Sequence, residues 1–222
     1  MKMFAWLTAL LYPEKCLLCG DILEKQETDL CRRCRLDAPE CPISRTKIPF
    51  LDSWTGLWYY EGDVRRSLLR YKFHRRQNYA PGYGRLLAMK LLKEERSEFD
   101  LLTWIPISQK RRRKRGFDQV ELLARYVGEE LSLESVATLR KLRDNQPQSG
   151  ITGDAQRRAN VLGVYEVLPS ADVKGKRILL LDDIVTTGAT AGEAARVLLT
   201  AGAKEVHLAV IATAKHDKKP KR

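Results

Sequence analysis

"LLLDDIVTTGATAG", residues 179–192, is an apolar run that meets two adjacent aspartates and then passes into threonine, glycine and alanine. Four consecutive apolar residues, Ile178 to Leu181, predict a buried central strand over Arg177–Leu181. Asp182 and Asp183 then fall at its carboxyl edge, where an α/β sheet exposes its binding crevice. Thr186, Thr187 and Thr190 supply hydroxyls. Gly188 and Ala189 leave backbone N–H groups open at the start of a helix whose dipole favours an anion. The combination predicts a phosphate cradle. Two carboxylates beside it suit a sugar phosphate, because they accept hydrogen bonds from neighbouring ribose hydroxyls and help to hold Mg²⁺. The predicted ligand is a ribose 5-phosphate with a metal nearby. A P-loop would need Gly-Lys-Ser/Thr, which is missing. A receiver domain places its paired aspartates at the end of its first strand, whereas this pair lies near the end of the chain.

The flanking sequence alternates strands and helices. "SWTGLWYY" (53–60) predicts an aromatic-rich strand, and "DVRRSLLRYKF" (63–73) a helix capped by Asp63, with Val64, Leu68 and Leu69 on one face. A second helix is predicted over 84–95. "FDLLTWIPI" (99–107) predicts a buried strand, and "VELLARYVGEEL" (120–131) a helix with Val120, Leu123, Ala124, Val127 and Leu131 inward. Residues 143–160 read as irregular. A helix from about Ala189 to Ala201, closed by Gly202, and a last strand "EVHLAVIAT" (205–213) complete the pattern. Such alternation predicts a parallel sheet with ligands at the carboxyl ends of its strands. The expected organisation is a helix and cysteine module over 1–45, a main domain over 50–214 and a basic tail over 215–222, in a chain of 222 residues.

Forty Lys+Arg against 28 Asp+Glu give a net charge of +12, which favours polyanionic partners: nucleic acid, or a phosphate-rich substrate. The five cysteines are confined to residues 16–41, and Cys16–Cys19 and Cys31–Cys34 are both C-x-x-C pairs. Each pair forms a short knuckle that presents two thiolates to one tetrahedral Zn²⁺. A disulfide framework would require export. "MKMFAWLTALLY" (1–12) has the apolar run of a signal peptide, but Pro13 and Glu14 stand where small residues should mark cleavage, and it is too short to span a bilayer. It reads as a short amphipathic helix, which places the protein in the cytoplasm. Cys41 is left over as an ordinary buried thiol.

"ILLLDDIVTTGAT" (178–190) resembles the thirteen-residue binding motif for phosphoribosyl pyrophosphate (PRPP) in type I phosphoribosyltransferases. Three further stretches narrow the resemblance to the ComF family of competence proteins: the cysteine knuckles, "RGFDQ" (115–119) and "NQPQSGITGDAQRRANVLGVY" (145–165). The chain departs from the family's pattern at Asp118, where Asn is usual, at Asn145 (Thr), and at Ile151 and Tyr165 (Leu and Phe). Asp118 and Asn cap a helix about equally well.

The resemblance implies a type I phosphoribosyltransferase-like, Rossmann-like α/β domain with a zinc-ribbon-like module. It implies PRPP with Mg²⁺ as ligand, and Asp182 and Asp183 as the carboxylates that meet its ribose and metal. In that fold the loop after the first core strand binds pyrophosphate. Here it is "IPISQKRRRKRGFDQ" (105–119), with six consecutive cations from Lys110 to Arg115. Lys110, Arg111, Arg113, Arg115 and Gly116 are assigned to pyrophosphate, although a bare basic run also suits a solvated or nucleic-acid-binding patch. Residues 143–160, with Arg143, Gln148, Arg157 and Asn160, become the flexible hood loop over the diphosphate; an ordinary surface loop is the alternative. Tyr71, Lys72, Phe73 and His74 interleave aromatic and basic groups, suited to base stacking or to plain helical packing.

Two functions follow from the resemblance. One is DNA uptake in natural transformation, with single-stranded DNA and a DNA-translocating competence ATPase as partners and recruitment to membrane-bound uptake machinery. The other is transfer of phosphoribosyl from PRPP to an acceptor.

Overall fold

The computed structural model describes residues 13–42, 47–96, 98–143 and 161–215. In chain order its elements are α1 (Arg32–Asp37), β1 (Ser53–Tyr59), α2 (Gly62–Phe73), α3 (Ala80–Lys93), β2 (Leu101–Trp104), α4 (Gln109–Arg115), α5 (Gln119–Leu131), β3 (Leu139–Lys141), β4 (Tyr165–Val167), β5 (Arg177–Val185), α6 (Ala189–Thr200) and β6 (Glu205–Thr213). A single-turn 3₁₀ helix, Gln77–Tyr79, leads into α3.

The apolar run at 178–181 has the composition of a strand buried on both faces, and it lies inside a four-stranded parallel sheet of order β1-β6-β5-β2. Its side chains alternate. Leu179 and Leu181 join Leu68, Tyr83, Leu87 and Leu123 of α2, α3 and α5 on one face, while Ile178 and Leu180 join Ala194 and Leu198 of α6 on the other.

Strand β5 is longer than the sequence reading allowed. It continues through both aspartates to Val185, because β6 keeps pairing with it at Asp182↔Val210, Ile184↔Ala212 and Val185↔Thr213. On its other side β2 stops at Trp104↔Leu181. From Asp182 onward β5 therefore has a neighbour on one side only, and the two carboxylates stand where the sheet opens.

Two helix boundaries differ from expectation. Asp63 does not cap α2. That helix begins at Gly62 behind Glu61, without a side-chain cap, and Asp63 instead pairs with Arg66 one turn on. Helix α3 starts at Ala80, earlier than the predicted 84, because Pro81 in its first turn is preset for helical geometry. The expected cationic loop is also a helix: Ser108 caps α4 by accepting from the Arg111 N–H at 3.3 Å, and Gly116, at φ +84°, closes it.

The cysteine segment shares the main core. Cys16, Leu17, Leu18, Leu30 and Cys34 lie in the same buried cluster as α2, α3 and α5. Backbone carbonyls hold it there: Leu17 accepts from the Ser67 hydroxyl, and Leu18 from Arg70 Nη2 at 2.5 Å. Arg85 of α3 adds an ion pair with Asp29 at 2.5 Å. Among the described residues no helix is long and apolar enough to cross a membrane. The segment "MKMFAWLTALLY", hood-loop residues 144–160, including Gln148, Arg157 and Asn160, and tail residues 216–222 lie outside the described residues.

Candidate functional site

Beyond the end of β2 the sheet edge opens into a cleft of about 790 Å³. Among the described residues its walls carry Arg65, Lys72, Arg75, Arg111, Lys114, Arg115 and Lys141 against two carboxylates, Asp182 and Asp183. With low-dielectric walls, such an excess concentrates anions. Ile105 and Pro106 at the end of β2 and Tyr165 at the start of β4 supply apolar surface.

The cationic run contributes selectively. Helical geometry puts residues 111, 114 and 115 on one face, and these three line the cleft. Lys110 and Arg113, also assigned to pyrophosphate from the sequence, are exposed and do not line it. Gly116 closes the helix at φ +84°. Arg115 is the most constrained cation: its guanidinium stacks 5.0 Å from the Phe73 ring centre, and its Nη1 donates to Gln119 Oε1 at 2.7 Å. Burial draws its pKa down from the usual value.

The adjacent aspartates have different surroundings, because successive strand residues face opposite sides. Asp183 is buried between α2 and α5. Lys72 Nζ donates to its Oδ1 and Gln119 Nε2 to its Oδ2, both at 2.8 Å. Asp182 is half-buried and, among the described residues, accepts only the Asp183 N–H, at 2.8 Å, at its Oδ1. Burial, and then the neighbouring Asp183 charge, push the Asp182 carboxyl upward to about 8. Among the described residues, the second oxygen of Asp182 is thus the carboxylate atom of the pair left open to a hydroxyl or a divalent cation.

Thr186 and Thr190 line the cleft, and Thr187 Oγ1 is a buried hydroxyl with no hydrogen-bond partner among the described residues. Gly188 takes φ +75° as the first residue of the turn into α6, whose N-terminus has no side-chain cap. The turn is fixed by shape as well, since a Cβ on Gly188 would come within 2.7 Å of Ile48 Cγ2. An orphaned hydroxyl beside an uncapped helix N-terminus fits a phosphate. At the site's far side Arg143 donates to the Leu162 carbonyl at 2.9 Å, beside the antiparallel pair β3–β4.

Lys72, Gln119, Arg65, Arg75, Lys141 and Tyr60 belong to this cleft without having been assigned a part in it from the sequence. Gln119 carried a signal, as the last residue of "RGFDQ". Arg65 and Arg75 carried none that separates them from any exposed helical arginine. Tyr71 is not a stacking residue, because it is buried and its hydroxyl donates to the Gln119 carbonyl at 2.6 Å. Phe73 is 60% exposed and is available for that role.

A second candidate site is the cysteine cluster. The sulfurs of Cys16, Cys19, Cys31 and Cys34 all lie within 4.8 Å of one another, with Cys19 and Cys31 at 3.7 Å. Tetrahedral Zn–S bonds of ~2.3 Å imply sulfur separations of ~3.8 Å, so the set fits a zinc ion. All five cysteines are free thiols. Burial pushes the Cys19 thiol up to about 11 and that of Cys34 higher still, a cost that a coordinated dication removes. Cys41 lies outside the cluster, buried against Trp54 and Val210.

A parallel sheet, a glycine turn after its central strand and a basic cleft at its open edge make up a phosphoribosyltransferase-type α/β fold, and residues 114–222 match the phosphoribosyl transferase domain family. Over 203 residues the chain is 29% identical to the DNA utilization protein YhgH of Salmonella typhi, covering 87% of each chain. It is 28% identical to competence protein ComFC of Streptococcus pneumoniae, covering 86% of this chain and 96% of that one. Among solved structures, the allosteric regulatory enzyme of purine biosynthesis aligns over 64% of this chain and 29% of its own, at 22% identity and a TM-score of 0.44. These likenesses support reading the chain as a ComF-type competence protein.

Proposed function

We propose that the cleft binds PRPP and that the protein serves DNA uptake in natural transformation. The observation that carries the ligand reading is the Thr187 hydroxyl, buried without a partner among the described residues at the uncapped N-terminus of α6, five positions after Asp182. The 5′-phosphate would sit against residues 186–190, a ribose hydroxyl against Asp182, and the diphosphate against Arg111, Lys114 and Arg115. Divalent Mg²⁺, held by Asp182 and the ligand's own oxygens, would neutralise charge on the diphosphate. The resemblance assigns the hood to residues 143–160. The role in DNA uptake rests on the relatives named for competence and DNA utilization.

Single-stranded DNA is the proposed macromolecular partner. The exposed Phe73 ring, backed by Arg115 and flanked by His74 and Arg75, offers a stacking platform among cations at the rim of the cleft. Transfer of the phosphoribosyl group to an acceptor, releasing pyrophosphate, is the second reading; cations placed on the departing diphosphate favour it.

Thermal unfolding with and without ligand tests the proposal. At a hundredfold excess over its Kd, PRPP with Mg²⁺ should stabilise the fold by about 2.7 kcal/mol, whereas ribose 5-phosphate alone should do less. An unchanged midpoint at millimolar PRPP contradicts the ligand reading. DNA binding should fall steeply with salt, and salt-insensitive binding contradicts phosphate tracking.

A further inference from the structure

Arg115 has neighbours that belong to two different tasks. Its guanidinium lies 5.0 Å from the centre of the Phe73 ring at the end of α2, and its Nη1 donates to Gln119 Oε1 at 2.7 Å. Stacked on one residue and hydrogen-bonded to another, it is held in place and does not swing out to serve a distant site. Phe73 remains 60% exposed although Arg115 stacks on it, so aromatic surface is left for a planar ligand. Both residues line the same cleft as Asp182, Thr186 and Thr190. Arg75, two residues beyond Phe73, lines it as well and takes φ +52°, a left-handed conformation that is uncommon for a residue with a side chain and that clusters at functional sites.

We propose that the cleft holds either the sugar diphosphate or a single-stranded DNA segment but not both, with Arg115 as the shared contact, so that PRPP displaces the strand from the protein. This rests on the PRPP and single-stranded DNA readings of the cleft. A base stacked on Phe73 carries its phosphate one sugar away, which brings the strand's backbone against Arg115, stacked on that ring, and Arg75, two residues along the chain. The diphosphate is assigned to Arg111, Lys114 and Arg115. The two ligands therefore meet at one guanidinium. A bound diphosphate also cancels the excess of cations that draws a polyanion into the cleft. The consequence is a release switch: the strand is held while the cleft is free of PRPP and is let go when PRPP fills it.

The test is fluorescence anisotropy of a labelled oligothymidylate titrated with the full chain in constant Mg²⁺, without PRPP and with PRPP at about a tenfold excess over the Kd that calorimetry gives for it. Sodium chloride at matched ionic strength separates displacement from screening. Competition predicts that the apparent Kd for DNA rises about tenfold with PRPP and less than about twofold with the matched salt. Arg115→Met should weaken both ligands by about tenfold, whereas Lys110→Met, at an exposed cation outside the cleft lining, should change neither by more than about threefold. The displacement from the wild type depends on no variant's folding. A DNA affinity that PRPP leaves unchanged or raises overturns the inference while leaving PRPP binding in place, and so does an Arg115→Met protein that loses only one of the two ligands. A wild type that binds no PRPP overturns the ligand reading and the inference together, and one that binds no DNA overturns the DNA reading and the inference together.

Discussion

Gln119 Nε2 donates to Asp183 Oδ2 at 2.8 Å while Gln119 Oε1 accepts from Arg115 Nη1 at 2.7 Å, so one amide ties the central strand to a cation that lines the cleft. A leucine at 119 would leave the Asp183 oxygen and the Arg115 guanidinium unpaired. Gln119→Leu should therefore weaken binding of inorganic pyrophosphate by about tenfold, measured by calorimetry.

The geometry of α4 makes a sharper prediction. Arg111 and Arg115 line the cleft and Lys110 and Arg113 do not, although the sequence presents them as one run. Arg111→Ala and Arg115→Ala should each cost pyrophosphate affinity by about tenfold or more, while Lys110→Ala and Arg113→Ala should change it less than about threefold. Equal effects at all four positions would show that the run acts as an undifferentiated charge cloud.

Asp118 accepts three backbone N–H groups: Val120 at 2.9 Å and Glu121 at 3.3 Å through Oδ1, and Ile107 at 3.0 Å through Oδ2. It both caps α5 and ties down the chain leaving β2. Asparagine has one acceptor oxygen, and its NH₂ would face an N–H donor on the other side. Burial of the charge, which raises the Asp118 pKa, works against aspartate, but three N–H donors offset it. Asp118→Asn should destabilise the fold by about 1–2 kcal/mol in urea unfolding. The resemblance had marked this position as a departure near the anion site; the side chain in fact points into the fold.

His207 carries a pH dependence far from the cleft. Its ring nitrogens contact the Ser53 hydroxyl at 2.6 Å and the Thr55 hydroxyl at 3.2 Å. Burial, and then the Arg96 charge, lower its pKa from 6.5 to about 3. The unfolded chain therefore binds a proton below about pH 6.5 that the folded chain refuses until about pH 3. Stability should fall as pH drops through that window, by about 2 kcal/mol between pH 7 and pH 5. A His207→Gln variant should lose that part of the slope, which urea unfolding at both pH values measures.

The cysteine cluster should hold about one Zn²⁺ per chain. Because Leu17 and Leu18 sit in the main core, stripping the metal should lower the melting temperature of the whole protein, not only of a detached module. Elemental analysis and calorimetry before and after chelation check both statements.

What the sequence made legible was the part governed by local pattern. The 178–181 run, the helix 119–131 and the last strand carry their own periodicity, and the cysteine spacing carries its own geometry. What it hid depends on packing between distant segments. That β5 would run on past its β2 partner, and so leave the aspartates at an opening, follows from two strand lengths and is written in neither strand alone. The different fates of Asp182 and Asp183 depend on Lys72 and Gln119, residues 111 and 64 positions away from Asp183. The short strands β3 and β4 have too few residues to show a period.

The most direct test of the central claim is calorimetric titration of PRPP with Mg²⁺ into the wild type and Asp182→Asn. The account predicts saturable binding by the wild type and at least about a tenfold loss in the variant, with an unchanged melting temperature because among the described residues Asp182 makes no hydrogen bond beyond its neighbour's N–H. Equal affinity in the two proteins would contradict the assignment of the open carboxylate, and absence of binding by the wild type would contradict the site itself.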